Sequence, residues 1–182
     1  AIRAPFHSNF PEIEHEITIE PKMSFGTGHH HTTRLMILQM LEMDFRGKRV
    51  LDMGCGTGVL AILAEKLGAE RVIAIDNDAW AFENTKENLS RNESKRIEVF
   101  IGSTQVIPQY EFDFVLANIN RNILLDQIPV YACRMSPGGL LIVSGIMKED
   151  SVIVKTCAKD SGLVHLSSEN IQDWMLLMFR RK

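Results

Sequence analysis

A short apolar strand that runs straight into three glycines constrains this chain more than any other stretch. Residues 50–58 read VLDMGCGTG, with Gly54, Gly56 and Gly58 at alternate positions. Glycines there let the backbone turn sharply and let a ligand approach the main chain. A helix starting just after Gly58 is expected to aim free N–H groups at that ligand. A second apolar run, RVIAID at 71–76, suits a strand buried on both faces. It ends in Asp76, whose carboxylate can accept both hydroxyls of a ribose or cap the next helix. Asp52, inside the first strand, either braces the glycine turn or meets a ligand amine.

Several phosphate and nucleophile motifs fail on inspection. A dinucleotide fingerprint G-x-G-x-x-G would place its third glycine at Val59. No G-K-[ST] follows a glycine cluster, so a phosphate loop is absent. The nucleophile elbow G-x-S-x-G fails around Ser144, which has Ile142 and Ile146 at the glycine positions.

Along the rest of the chain, strands and helices alternate, which predicts an α/β fold with a mostly parallel sheet and helices on both faces. Residues 1–13 read as irregular and 14–20 as an edge strand or hairpin arm. PKMSFGTGHHHTT, 21–33, reads as a loop, followed by a helix to about residue 43. Strands are predicted at 49–53, 71–76, 97–102, 112–118 and over LLIVSG. Helices are predicted at about 58–67, 79–92, 121–135 and 148–160, the third interrupted near Pro129. Pro137-Gly138-Gly139 reads as a turn. Residues 163–168 and 174–181 close the sheet as an antiparallel pair. Asn77 or Asp78 can cap the helix at 79–92.

The 182 residues make one ordinary domain, and the hydrophobic share of 45% supplies its core. No apolar run approaches the roughly 18 residues of a membrane helix. A net charge of −3 does not favour bulk nucleic-acid binding. Three scattered cysteines, Cys55, Cys133 and Cys157, do not form a disulfide framework and fit a cytoplasmic setting.

The D-x-G-C-G-T-G run, followed by a strand ending in I-D, resembles the motifs of class I S-adenosylmethionine-dependent methyltransferases. Two further stretches, PKMSFGTGHHHTT and FDFVLANI (112–119), are similar to those of the ribosomal protein L11 methyltransferase family. The resemblance runs from about Ile2 to the C-terminus. It implies a Rossmann-like, seven-stranded sheet and transfer of a methyl group from S-adenosylmethionine to lysine or amino-terminal amines of ribosomal protein L11. It implies cofactor contacts at Thr33, Gly54, Asp76 and Asn118, with Asp76 on the ribose, Gly54 at the methionine end and Thr33 closing the pocket. Asn118 is also the implied catalytic residue, orienting the amine through its side-chain and neighbouring main-chain carbonyls. The signature loop falls on Phe25, Gly26, Thr27, Gly28, His30, Thr32 and Thr33. Phe25, Thr27, Gly28, Asp52, Cys55, Gly56, Asn77 and Ser103 complete the expected cofactor site, with His30 and Ile119 at the lid or substrate side. The family carries an N-terminal substrate-docking domain, and this sequence starts at about its linker. Residues 1–45 then form the linker, edge strand and lid, and 46–182 the cofactor-binding core. Alternatives are another protein or small-amine acceptor, or a scaffold that binds the cofactor without turnover.

His29, His30 and His31 invite a metal reading, but adjacent imidazoles diverge and no Cys or carboxylate flanks them at ligand spacing. Cys55 reads as a small residue of the glycine turn, and Cys133 and Cys157 as core or helix residues. Trp80 either packs on the cofactor's base or on the sheet, and Trp174 reads as core. Arg180–Lys182 reads as a solvated tail.

Overall fold

The computed structural model describes residues 1–7, 12–20, 22 and 30–182. The glycine-rich strand is β3 (Arg49–Met53), after two short bridges, β1 (Ile2–Arg3) and β2 (Ile17–Thr18), and helix α1 (His31–Leu41). Then come α2 (Val59–Lys66), β4 (Arg71–Asp76), α3 (Ala79–Arg91), β5 (Ile97–Ile101), β6 (Phe112–Asn118), α4 (Arg121–Arg134), β7 (Met135–Met147), α5 (Ser151–Asp160), β8 (Leu163–Ile171) and β9 (Trp174–Arg181). The main sheet has seven strands in the order β5-β4-β3-β6-β7-β9-β8. All neighbours are parallel except β9, which runs antiparallel to β7 and β8.

Alternation along the strands divides the core into two layers. Val50, Val72, Phe114 and Ile142 face α1 and α2, while Leu51, Ile73, Val115 and Leu141 face α4 and α5. Asp52 lies on the first of these faces, beneath α2. The chain leaves β3 in one direction through β4 and β5, then returns to the other side at β6. The crevice above the C-terminal ends of β3, β4 and β6 is therefore the switch point at which such sheets bind ligands.

Four local expectations need correction. The edge strand expected at 14–20 is a two-residue bridge to Ile2–Arg3, outside the main sheet. The segment is also held by side chains: Asn92 Oδ1 accepts from Thr18 N–H at 2.9 Å and Asn88 Oδ1 from Glu20 N–H at 3.0 Å. The loop expected through residue 33 ends at His30, which caps α1 by accepting from Thr32 N–H, so Thr32 and Thr33 are helical. Helix α4 continues through Pro129. The carbonyl that Pro129 cannot serve is that of Leu125, four residues back. It accepts instead from the Cys157 thiol on α5 at 3.4 Å. Pro137–Gly139 is an excursion inside β7: Phe112 pairs with Met135 but Phe114 with Leu140, so the extra residues loop out between them.

Side-chain placements decide several expectations. Trp80 is 80% exposed and does not pack on the sheet. Cys133 is exposed and Cys157 half-buried, both on helices, the second of the two placements expected for them. Arg181 belongs to β9 and pairs with Glu111 at 3.2 Å while donating to Met135 O, so it is no loose tail. Trp174, expected in the core, is half-buried and packs against it, meeting His30 edge-on at 4.9 Å. Among the described residues no helix is long and apolar enough to cross a membrane.

Candidate functional site

The glycine turn takes its shape from left-handed backbone at Gly54 (φ 71°), Gly56 (57°) and Gly58 (80°), which side chains rarely tolerate. At Gly54 a Cβ would lie 2.4 Å from Ile119 Cγ2. Gly145 (φ 82°) presses on the same residue from β7, where a Cβ would meet the Ile119 carbonyl oxygen at 2.5 Å. Ile119 is thus confined between two glycines, and it fixes the chain just after Asn118.

The turn's own N–H groups are largely engaged. Gly54 and Cys55 donate to Ile75 O at 2.8 and 3.1 Å, Gly56 to Asp76 Oδ2 at 2.9 Å, and Gly58 to Cys55 O at 2.8 Å. Ala61 N–H, in the first turn of α2, donates to Asp52 Oδ2 at 3.1 Å. Among the donors of α2's first turn, expected to face a ligand, that of Ala61 is thus taken by Asp52.

Asp52 is 1% exposed, and its bond to Ala61 ties the end of β3 to the first turn of α2. Burial pushes its carboxyl up to about 7, against the bond from Ala61 and with a smaller contribution from the Asp76 charge. Its Oδ1 has no hydrogen-bond partner. Asp76 accepts from Gly56 N–H and, at 3.0 Å, from Asp78 N–H. The cap of α3 is Asp78, whose side chain accepts from Trp80 and Ala81 N–H. Asp76 is thereby free of the capping role, and its carboxylate stands at the mouth of the crevice.

Asn118 closes β6. Its Nδ2 donates to Thr33 Oγ1 at 3.4 Å, and its Oδ1 is buried without a partner. The turn after it is formed by Asn120, which caps α4 through Ile123 N–H at 3.1 Å. Thr33 is 1% exposed in the first turn of α1. His30 Nδ1 meets Thr32 Oγ1 at 2.8 Å, so it acts here as helix cap and Trp174 contact.

A groove runs along the strand ends, lined by Gly54, Asp76, Asn77, Ser103, Ile119 and Gln127 among others. It gathers five of the predicted positions. Cys55 is buried, with its thiol 3.4 Å from Thr85 Oγ1 and its pKa pushed well up by burial, so it is an inert part of the turn. Gly56 is bound from below, its carbonyl accepting from Thr85 Oγ1 at 2.8 Å. Phe25, Thr27 and Gly28, like His29, lie outside the described residues. The sequence reading missed Gly102, Ile123 and Gln127. A polar residue one turn beyond Ile123 on a helix entering from the strand ends is the one signal that points to Gln127. A roomier apolar cavity of about 470 Å³ lies away from this groove, between the N-terminal segment and α1. Among the described residues no cluster of three or more His, Cys, Asp or Glu is disposed to hold a metal.

The sheet order and the acidic, glycine-lined switch point define the fold of class I methyltransferases. A solved ribosomal protein L11 methylase from Lactobacillus delbrueckii subsp. bulgaricus superposes with a TM-score of 0.92 at 28% identity, covering 100% of this chain and 94% of that one. A methyltransferase from Pyrococcus furiosus shares the fold at a TM-score of 0.76 and 20% identity, over 91% of this chain and 89% of that one. The profile of the ribosomal protein L11 methyltransferase (PrmA) family matches residues 2–182, and the chain belongs to that family. The ribosomal protein L11 methyltransferase of Porphyromonas gingivalis is 50% identical over 98% of this chain, and that of Phocaeicola vulgatus 42% identical over all of it. The chain spans 62% and 65% of the length of these two curated relatives.

Proposed function

We propose that the chain transfers a methyl group from S-adenosylmethionine to lysine or amino-terminal amines of ribosomal protein L11, in the cytoplasm. The observation that carries this reading is Asn118: a half-buried side chain whose carbonyl oxygen is buried and unpartnered, at the end of β6 next to the end of β3 that leads into Gly54. An unsatisfied buried acceptor is costly and calls for a donor. An amine supplies one.

The residues fit the cofactor. Asp76 offers lone pairs to the ribose hydroxyls, and Gly54 lines the same groove toward the methionine end. Thr33 holds the pocket from the α1 side. When bound, the cofactor supplies a methyl group on a positively charged sulfur. The protein's part is positioning. Asn118 Oδ1 accepts an N–H of the substrate amine and so directs the nitrogen's lone pair. Thr33, by engaging Nδ2, keeps Oδ1 turned to that task. A free lysine has a pKa near 10.4. A neighbouring positive charge and loss of water both lower that value, so no strong base is required.

Intact-mass measurement of ribosomal protein L11 after incubation with the chain and S-adenosylmethionine tests the proposal. Methyl-sized mass steps support it. Tight cofactor binding with no step on L11, and none beside the full-length relative's positive control, would send the search to another amine.

A further inference from the structure

Given that reading of the groove as the cofactor site, the groove has a far end that the ribose does not fill. Past Asp76 it continues to Gly102 and Ser103, just beyond β5, and α4 forms the opposite wall through Ile123 and Gln127. The cofactor's base is the remaining part of the ligand, and these residues are what it meets.

Three side chains there form a chain of hydrogen bonds. Tyr131, fully buried on α4, donates its hydroxyl to Gln127 Oε1. Gln127 Nε2 donates to Ser103 Oγ at 2.8 Å. The order of donors follows from the buried end. Burial raises the Tyr131 phenol's pKa, so it keeps its proton and needs an acceptor. The carbonyl of Gln127 therefore faces Tyr131 and its amide nitrogen faces Ser103. Ser103 has one hydroxyl hydrogen. With Oγ already accepting from Gln127, that hydrogen is left for an acceptor in the groove.

We propose that Gln127 is a specificity-determining residue for the cofactor's base: held by Tyr131, it keeps Ser103 in the donor orientation, so the groove selects a purine edge that accepts a hydrogen bond. Adenine does this at N1. Hypoxanthine carries a hydrogen at N1 and presents a donor to a donor. Ile123, one helical turn before Gln127, supplies an aliphatic surface for the ring.

Calorimetric titration of the chain with S-adenosylhomocysteine and with its inosine counterpart, S-inosylhomocysteine, tests this. The unsubstituted chain is expected to prefer the adenosyl ligand by about tenfold or more, the scale of one hydrogen bond replaced by a donor–donor contact. Gln127→Glu gives Ser103 an acceptor in place of its donor, and the preference should fall to near unity. Ser103→Ala should do the same with Gln127 intact, which guards against a folding defect in the first variant. Tyr131→Phe should give an intermediate ratio. A purely structural role would weaken both ligands alike and leave the ratio unchanged, and that outcome in Gln127→Glu and Ser103→Ala overturns the inference. Equal affinity of the unsubstituted chain for both ligands also overturns it, while leaving the cofactor reading standing. Binding of neither ligand overturns the cofactor reading and this inference with it.

Discussion

Asn118 Nδ2 donates to Thr33 Oγ1, and this contact joins the end of the central strand β6 to the first turn of α1 across 85 positions of sequence. The amide at the proposed reaction centre is thus aimed by a residue from the N-terminal segment. Thr33→Val removes the acceptor and keeps the shape. Turnover should fall by about fivefold to tenfold, the worth of one neutral hydrogen bond, with little change in melting temperature. Thr33→Ser should recover most of the rate. Steady-state kinetics of the three proteins would show whether the hydroxyl, rather than the packing, is what matters.

Asp76 and Asn118 should separate binding from chemistry. Asp76→Ala is expected to weaken cofactor affinity by roughly 2 kcal/mol or more, the scale of lost charge-assisted bonds. Asn118→Ala should slow turnover more than it weakens the cofactor. Calorimetry beside single-turnover rates distinguishes the two. Equal losses in both quantities for Asn118→Ala would make Asn118 part of the cofactor site alone.

Gly54 carries a different kind of constraint. Gly54→Ala places a methyl in left-handed backbone, at roughly 1 kcal/mol, and drives it into Ile119 Cγ2. Ile119→Ala removes the second cost and leaves the first. In a double-mutant cycle measured by urea unfolding, the pair should therefore be less destabilised than the sum of the single variants. Strict additivity would mean that the clash is absorbed elsewhere.

Asp52 should give the fold a pH dependence of unusual sign for a carboxylate. Its folded pKa, about 7, lies above the ordinary value of 3.8 because burial disfavours the charge. Between those values the folded state holds a proton that the unfolded state has lost. Stability therefore falls as pH rises from about 4 to 7, and levels off above. The full penalty is about 4 kcal/mol at most, at 1.36 kcal/mol per unit. Asp52→Asn keeps an acceptor for Ala61 N–H and carries no charge. Its unfolding free energy should vary less between pH 5 and pH 8 than that of the parent. An identical slope in both proteins would relieve Asp52 of the effect.

Strands β4 and β6 are readable from the sequence because each is a continuous apolar run with a polar residue at its end. Burial on both faces leaves no other use for RVIAID or FDFVLAN. The glycine turn and Asp76 were equally plain, since positive φ and a carboxylate beside a strand end are local requirements. What escaped was decided by partners remote in sequence. Nothing near Pro129 announces that a thiol 28 positions later will take up its orphaned carbonyl. Two threonines weaken the helical signal at 32–33, and only the His30 cap restores it. Gln127 reads as an ordinary helix residue until Ser103 and Tyr131 are brought to its two ends. The N–H groups of Gly54, Cys55 and Gly56 are taken by Ile75 O and the Asp76 carboxylate at the end of β4, a partnership that only the packed sheet creates.

Helix α3 carries asparagines at 84 and 88, and its C-cap is Asn92, each four apart and so on one face. Asn88 and Asn92 take the backbone of the segment at 18–20, while the amide of Asn88 also donates to Thr57 O at 3.0 Å and that of Asn84 to Glu20 O at 3.4 Å. Asparagine is a poor helix former, and alanine at 84 or 88 would make α3 more stable as an isolated peptide. The helix gives up that local advantage to act as a fastener between the N-terminal segment and the glycine turn. A designer who optimised α3 by its own preferences would improve the part and unbutton the whole.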